Sequence, residues 1–295
     1  MPTLITHSQI ISFLKQISLP KKNSRKGDNG KLLIIGGSHL FHAASRWSLD
    51  ISSKFVDMVF YASVPSNNQL IHEAKSNFWN GIVIQRNQIE DYLDEADCIL
   101  IGPGMERVLN ETNDILNTTE SYVNHLPTDK DWEENTQTIV NYLLAKYPTK
   151  KWVIDAGALQ MIDPILLTSS CIITPHQKEM EILLGKCKTE NQRINLNKST
   201  VLLKGEVDKV IHNQEEYLIP GGNPGMTKGG TGDVLAGLVA GLYTNNQILP
   251  STIVSSHVNK KTGDLLYKKN GPFFNATDLV NKIPQVLWSE ITARD

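Results

Sequence analysis

Short apolar runs that end in a turn recur along the chain, and they constrain its fold more than any other feature. The runs are continuous rather than alternating, which is typical of strands buried on both faces of a parallel sheet. Helical patterns separate many of them, as in βαβ units. We therefore expect an α/β fold with a central, mostly parallel sheet flanked by helices. The predicted strands are Leu32–Ile35, Met58–Tyr61, Ile82–Ile84, Ile99–Ile101, Val153–Ile154, Ile172–Ile173 and Val201–Leu203.

Four of these strands lead into turns that are rich in glycine, proline or polar residues. In an open parallel sheet, ligands bind beyond the carboxyl ends of the strands. We therefore expect the four turns to meet at one cleft. They are Gly36–Ser38, Gly102–Gly104, Asp155–Gly157 and Thr174–His176.

The remaining elements are predicted from helical periodicity, caps and turn residues. The first twenty-odd residues should contain a leading helix, and the polar segment 110–131 is a candidate surface insertion in a single domain over residues 1–295. The predicted helices are Glu133–Lys146, Gln177–Leu184 with Gly185 as its C-cap, and Thr277–Leu287 interrupted by Pro284. A hairpin is predicted from Lys209–His212 and Tyr217–Ile219.

Composition narrows the class of protein. Of the 295 residues, 40% are hydrophobic and 20% are charged, as in an ordinary globular protein. The net charge of −2 gives no electrostatic reason to expect nucleic acid or a membrane as a partner. Cys98, Cys171 and Cys187 lack metal-type spacing, and the apolar runs around Cys98 and Cys171 suggest buried thiols in a reducing compartment. With no secretory signal and no membrane-length apolar run, we expect a cytoplasmic protein.

The run Asn223–Asp233, with the sequence NPGMTKGGTGD, carries the strongest chemical signal. It leads directly into a predicted helix over Val234–Tyr243. A glycine cluster at a helix start leaves backbone N–H groups unpaired at the positive end of the helix dipole. Such a start is a site for anions, most naturally for phosphate. We therefore expect the amides of Gly229, Gly230, Thr231 and Gly232 to bind a nucleotide phosphate.

Asp233 is the unusual member of this run. A carboxylate beside phosphate oxygens is repulsive, so Asp233 is better explained as a base that takes a proton from a group attacking phosphorus. The alternative is that Asp233 caps the helix. The length of the whole motif favours the catalytic interpretation.

Taken in order, these motifs resemble the carbohydrate-kinase-like domain of the NAD(P)H-hydrate dehydratases, within the ribokinase-like superfamily. The resemblance spans residues 26 to about 243, and its most specific part is the run that ends at Asp233. The matching segments are 26–31 (KGDNGK), 35–38 (IGGS), 101–104 (IGPG), 154–159 (IDAGAL), 174–179 (TPHQKE), 203–205 (LKG), 223–226 (NPGM) and 229–233 (GGTGD).

The resemblance implies a ribokinase-like three-layer fold and a repair enzyme that dehydrates NADHX or NADPHX with ADP or ATP. It also implies a homo-tetramer and a functional link to an NAD(P)H-hydrate epimerase, whose domain is not expected in this chain. By the same resemblance, Ala43, Gly104, His176 and Asp233 would contact the hydrated dinucleotide. Lys204, Gly205, Glu206, Val207, Asp208 and Gly232 would bind the adenine nucleotide. Phosphoryl transfer generally implies Mg²⁺, for which Glu179 is the candidate residue, acting through water.

Several of these residues also have a purely structural interpretation. His176 could cap the helix that follows it, and Glu179 is favoured near a helix start by the dipole alone. Lys204 could extend its charge into solvent. Asp155 is a common type of turn residue and is given only a supporting role.

Four positions depart from the family pattern. Trp47 and Phe55 are larger than expected and could narrow the cleft for the nicotinamide half of the substrate. Gly157 replaces an acidic residue. Lys228 replaces a small polar residue, and its charge is predicted to strengthen nucleotide binding.

Three other functions remain open. The first is a kinase of the same superfamily that phosphorylates a vitamin precursor, and the second is a nucleotide-binding protein without catalysis. A Rossmann oxidoreductase is the third, although the turn after Ile35 lacks the Gly-x-Gly-x-x-Gly motif and the chain has no P-loop. A carboxylate next to phosphate is of no use to a protein that only binds nucleotide, so Asp233 argues for an enzyme.

Overall fold

The fold was taken from a computed structural model that describes residues 3–76, 78–107, 126 and 135–293. Its strands are β1 Thr3–Leu4, β2 Lys31–Ile35, β3 Met58–Ala62, β4 Ile82–Val83, β5 Cys98–Ile101, β6 Lys151–Ile154, β7 Cys171–Ile173, β8 Thr200–Leu203, β9 Asp208–His212 and β10 Glu215–Ile219. Its α-helices are α1 His7–Leu14, α2 His42–Ser52, α3 Pro65–Ala74, α4 Ile89–Glu95, α5 Thr136–Lys146, α6 Ala156–Met161, α7 Gln177–Lys186, α8 Glu190–Lys198, α9 Thr231–Asn245, α10 Ile248–Asn270 and α11 Ala276–Thr292.

All ten strands form one sheet, in the order β1-β10-β9-β8-β7-β6-β5-β2-β3-β4. Strand β9 is antiparallel to both of its neighbours, β8 and β10, and every other pairing is parallel. The carboxyl ends of β2, β5, β6, β7 and β8 therefore lie along the same edge of the sheet. The prediction of a mostly parallel sheet is confirmed.

Two hydrophobic cores cover the two faces of the sheet, so the molecule has three layers. Along β2, Leu32 and Ile34 belong to one core, and Leu33 and Ile35 belong to the other. The first core contains apolar residues of α1, α2, α9, α10 and α11. The second contains those of α4, α5, α6, α7 and α8. Because both faces are covered, the strands need continuous rather than alternating apolar runs.

The seven predicted strands are all present, with ends that differ by one or two residues. The predicted hairpin is also present as β9 and β10. Its two-residue turn, Asn213 and Gln214, has positive φ at both positions, of 49° and 68°. This is the backbone that joins two twisted strands most directly.

Two details of the predicted helices are wrong. Helix α7 continues through Gly185 to Lys186 and has Cys187 as its C-cap, because Gly185 does not adopt a left-handed conformation. Helix α11 continues through Pro284 to Thr292. The sequence interpretation also missed α10, a 23-residue helix with many small polar residues and no strong apolar stripe.

The candidate insertion at 110–131 lies outside the described residues except for Leu126. All three cysteines are buried and free, which confirms the predicted burial of Cys98 and Cys171. Among the described helices, none combines the length and the hydropathy that crossing a membrane requires.

Candidate active site

The turns that follow the parallel strands meet at one edge of the sheet, as predicted. Backbone hydrogen bonds continue the ladder past the ends of the strands. The N–H of Gly102 donates to Ile35 O at 3.0 Å, and that of Asp155 donates to Ile101 O at 3.0 Å. Further along the sheet edge, Lys204 N–H donates to Pro175 O at 2.8 Å. These bonds hold the predicted site residues in a defined order along the edge.

The predicted dinucleotide contacts Ala43 and Gly104 lie at one end of this edge. Ala43 is in the first turn of α2. Gly104 packs so tightly against the chain just before that turn that a Cβ atom there would lie 2.4 Å from Phe41 O. The structure thus brings Ala43 and Gly104 together, and close backbone approach explains why position 104 is glycine.

Close packing also explains one departure from the family pattern. A Cβ atom at Gly157 would lie 2.2 Å from Met105 O. An acidic side chain at position 157 is therefore incompatible with this backbone.

Lys204 and Asp155 form an ion pair at the centre of the sheet edge. Lys204 Nζ lies 2.9 Å from Asp155 Oδ1, and the side chains are 19% and 2% exposed. Thr174 Oγ1 donates to the same carboxylate at 2.7 Å. Burial by itself would lower the pKa of Lys204, but the Asp155 and Glu179 carboxylates more than offset it and raise that pKa. Lys204 therefore remains a cation inside the site instead of extending into solvent.

Asp233 faces this ion pair from the first turn of α9. It is the third residue of the helix, whose N-cap is Gly230, so Asp233 is not the cap residue. Ser48 Oγ donates to Asp233 O at 2.8 Å, which ties this turn to α2. Burial and the Asp155 carboxylate raise the pKa of Asp233 to about 7, against the opposing effect of Lys204. A carboxylate with a pKa close to neutral is suited to general base catalysis.

The glycine turn before Asp233 has the properties of a phosphate site. Within the described residues, no acceptor takes the N–H groups of Gly229, Gly230 and Gly232. Thr231 Oγ1 instead donates to Met226 O at 2.7 Å and to Lys228 O at 2.9 Å, so its hydroxyl holds the turn closed. Free N–H groups at a helix start bind phosphate, and this cradle fits that ligand.

Lys204 lies directly beside this turn. A Cβ atom at Gly232 would be 3.6 Å from Lys204 Nζ. The uncapped helix start and the lysine ammonium therefore face the same space. An anion in that space would contact both, with the Asp233 carboxylate nearby.

His176 and Glu179 form a capping box at the start of α7. Glu179 N–H donates to His176 Nδ1 at 3.2 Å, and His176 N–H donates to Glu179 Oε2 at 2.9 Å. His176 therefore has the capping role that its sequence context allowed. The His176 side chain is nevertheless 49% exposed, with its Nε2 3.5 Å from Glu179 Oε1. Its predicted contact with the dinucleotide stays a prediction.

The surroundings of Glu179 do not fit direct coordination of a metal. Its side chain is 3% exposed, and its Oε1 lies 3.5 Å from His176 Nε2 and 3.9 Å from Arg107 Nη2. Both oxygens thus face donors or cations. In the described part of the chain, no group of three His, Cys, Asp or Glu side chains could hold a metal ion. A water-mediated role of Glu179 stays a prediction.

The predicted nucleotide loop follows β8. Gly205, Glu206 and Val207 are exposed at the sheet edge and can meet a ligand. Asp208 differs from them, because it is only 3% exposed and its carboxylate accepts from Gly205 N–H and Ser256 Oγ at 3.0 and 2.7 Å. The side chain of Asp208 therefore stabilises the loop from its buried side.

The large or charged departures from the family pattern have structural roles. Lys228 Nζ donates to the carbonyls of Pro272 and Phe274, so it does not point towards the glycine turn as predicted. The Trp47 ring packs against Gly230, where a Cβ atom would lie 2.4 Å from the ring. Phe55 lies beside Gly241, in the C-terminal half of α9. It is therefore too far along the helix to narrow the cleft.

Sequence reasoning missed two features of this site. Asp155 received only a supporting role, although it carries the central ion pair. Lys260, on the unpredicted helix α10, received no role, although it lies under the nucleotide loop. The position of Asp155 at the end of a buried strand could have indicated a site residue. Lys260 lies in a polar stretch that gives no such indication.

Comparison with known proteins shows the family to which this chain belongs. Residues 32–285 match the carbohydrate-kinase family model that is described as NAD(P)H-hydrate dehydratase. An ADP-dependent (S)-NAD(P)H-hydrate dehydratase of Nitrosopumilus maritimus is 31% identical over 295 residues, with 92% of this chain and 93% of that protein covered. A bifunctional NAD(P)H-hydrate repair enzyme of Methanocaldococcus jannaschii is 32% identical over 281 residues, with 93% and 51% covered. The chain thus spans about half the length of this bifunctional relative.

Solved structures share the fold. The ADP/ATP-dependent NAD(P)H-hydrate dehydratase of Bacillus subtilis, co-crystallised with ATP and Mg²⁺, superposes with a TM-score of 0.71 over 98% of both chains. Sequence identity in this pair is 19%, so the likeness concerns the fold alone. It confirms the predicted ribokinase-like three-layer architecture.

Proposed function

This chain belongs to the NAD(P)H-hydrate dehydratase family, and from that premise we propose that it dehydrates hydrated NADH or NADPH with the help of ADP or ATP. It would act as a hydro-lyase in the repair of these cofactors. The observation that carries the proposal is the position of Asp233, a carboxylate with a raised pKa that directly follows an uncapped glycine turn and feels the charges of the Lys204–Asp155 pair.

The geometry supports a division of roles among these residues. Asp233 would accept the proton of the hydroxyl on the reduced nicotinamide ring as that oxygen attacks the terminal phosphorus of the nucleotide. The bond from phosphorus to the bridging oxygen breaks in this step. The amides of Gly229, Gly230 and Gly232 and the Lys204 ammonium would stabilise the charge on the transferring group.

The transferred phosphoryl group makes the ring hydroxyl a better leaving group. When the carbon–oxygen bond then breaks, phosphate departs with the bonding electrons, the neighbouring ring carbon loses a proton to water, and the ring regains its double bond. Hydroxide would leave far less readily. The protein therefore has to bind and orient the nucleotide and the hydrated cofactor, and it has to deprotonate the ring hydroxyl. Asp155 would keep Lys204 in place during both steps.

Mg²⁺ and the remaining binding assignments belong to the proposal. The co-crystallised Bacillus subtilis protein supports a metal–nucleotide complex as the co-substrate. The surroundings of Glu179 do not fit direct coordination of a metal ion, so Mg²⁺ would enter the site bound to the nucleotide. The adenine nucleotide would lie along Lys204–Asp208, and the hydrated dinucleotide near Ala43, Gly104 and His176.

The larger-scale assignments also remain predictions. They are a single domain over residues 1–295, a homo-tetramer, a cytoplasmic location and a functional link to an NAD(P)H-hydrate epimerase.

Recovery of reduced cofactor tests the proposal. The protein is incubated with hydrated NADH or NADPH, Mg²⁺, and either ADP or ATP, while absorbance in the reduced-cofactor band is followed. We expect recovery that depends on the nucleotide and is lost in Asp233→Asn. A stable phosphorylated alcohol formed from a vitamin precursor, with no recovery of NADH, would identify the rival kinase instead.

A further inference from the structure

Lys260 is buried beneath two segments that the proposed function assigns to the nucleotide. Its side chain comes from the middle of α10 and is 6% exposed. Nζ donates to the carbonyl oxygens of Gly205, Glu206 and Gly221, each at 2.9 Å. It also lies 3.3 Å from Asp208 Oδ1. One ammonium group thus joins the loop after β8 to the turn after β10.

A second set of contacts completes this arrangement. Asp208 accepts from Gly205 N–H through Oδ1 and from Ser256 Oγ through Oδ2. Ser256 is fully buried one turn before Lys260 on α10. The loop is therefore bound to α10 through both of its ends, Gly205 and Asp208. We refer to Lys260, Asp208 and Ser256 as the α10 clamp.

The two segments held by the clamp have different roles in the proposed reaction. Gly205 and Glu206 belong to the predicted nucleotide loop, whereas Gly221 opens the stretch that runs to the glycine turn at 229–232. An adenine nucleotide would have to contact both segments at once. A binding surface formed from two loops gains affinity when their relative position is set before the ligand arrives.

We propose that Lys260 is a positioning residue for nucleotide binding. It fixes the spacing between the 205–208 loop and the 221–232 segment. It does not touch the reacting atoms. The inference rests on the proposed use of an adenine nucleotide. An ammonium suits the position, because three carbonyl oxygens and one carboxylate surround a single point charge.

The test is Lys260→Met, which keeps most of the side-chain volume but removes the charge and the donors. Lys261→Met is the matched control, because Lys261 lies next to it on α10 and pairs at the surface with Glu290 at 2.6 Å. ADP affinity is measured by calorimetry. Steady-state constants are measured with hydrated NADH as the substrate. Backbone mobility is measured by amide hydrogen exchange.

We expect Lys260→Met to raise the Kd for ADP and the KM for nucleotide by at least ~10-fold, with kcat at saturation changed less than ~3-fold. Exchange should accelerate at 205–208 and 221–223 and stay unchanged in β5 and β6. Lys261→Met should show none of these effects. A folded Lys260→Met variant with wild-type ADP affinity, or with a loss confined to kcat, would overturn the proposal.

Two further measurements keep the test decisive. If Lys260→Met does not fold, Ser256→Ala loosens the clamp more mildly, and we expect a smaller rise in the Kd for ADP with faster exchange at 205–208. Unchanged affinity and exchange in Ser256→Ala would then overturn the proposal. If the wild type binds ADP but restores no NADH, the dehydratase function fails while the clamp is still tested by ADP binding.

Discussion

Lys204 Nζ and Asp155 Oδ1 lie 2.9 Å apart at the ends of β8 and β6, across the intervening strand β7. Their charges act on Asp233 in opposite directions, since Asp155 raises its pKa and Lys204 lowers it. Burial is the largest cause of the raised pKa of Asp233, and the pair adjusts that pKa further while holding Lys204 in the site.

The first prediction separates these two electrostatic effects. Asp155→Asn should move the acidic limb of the pH profile of kcat/KM to lower pH by ~1 pH unit, and Lys204→Met should move it to higher pH. The reason is that each substitution removes one of the two opposing charges. Lys209→Met serves as the control, because its surface pair with Glu216 lies outside the site. Shifts in the same direction would contradict this account of Asp233.

The second prediction concerns the base itself. Asp233→Asn keeps the size of the side chain but removes its basicity, so turnover should fall ~100- to 10,000-fold. ADP affinity should be unchanged or improved, because a negative charge near the phosphates is lost. Asp278→Asn is the matched control, since Asp278 occupies the same third position of helix α11. Near-normal turnover in Asp233→Asn would rule out the proposed mechanism.

The third prediction concerns stability. The pKa of Asp233 is about 7 in the folded protein but ~4 in the unfolded chain. Between these values only the folded state keeps the proton, so the contribution of this group is lost as pH rises from ~4 to ~7. Asp233→Asn should therefore gain stability relative to the wild type from pH 5 to pH 8 in urea unfolding. A constant difference between the two proteins across this range would mean that the pKa is not raised.

The fourth prediction concerns the phosphate cradle. Gly232→Val should weaken ADP binding by at least ~10-fold, because its methyl groups would occupy the space between the helix start and Lys204. Gly185→Val in α7 is the control, because a Cβ atom there meets no atom within 4 Å. Calorimetry with ADP gives the comparison. Equal affinities in the two folded variants would place the phosphates elsewhere.

The fifth prediction concerns Lys228. Since its ammonium donates to the carbonyls of Pro272 and Phe274, Lys228→Ala should lower the Tm by roughly 2 °C and leave the KM for nucleotide unchanged. The measurement is a thermal melt together with kinetics at low and high salt. A KM that rises at low salt and recovers at high salt would show that Lys228 contacts the phosphates after all.

The sequence by itself determined the architecture and the chemical type of the site. Continuous apolar runs such as Leu32–Ile35 require burial on both faces, and this requirement leads to a parallel sheet covered by helices. The glycine run before Asp233 predicts an anion site because helix starts leave N–H groups unpaired wherever they occur. Both signals depend on neighbouring residues in the chain and can be read locally.

Only the tertiary structure decided which polar side chains act together. The partner of Lys204 is Asp155, 49 residues earlier, and Lys260 meets Gly205 from a helix 55 residues later. Lys228 likewise turns towards Pro272, 44 residues later, whereas the capping of α7 by His176 is a local contact with Glu179 that the sequence context already allowed. A charged side chain finds its partner through the packing of the sheet and helices, and burial then sets its pKa. Neither the partner nor the burial is encoded in local spacing.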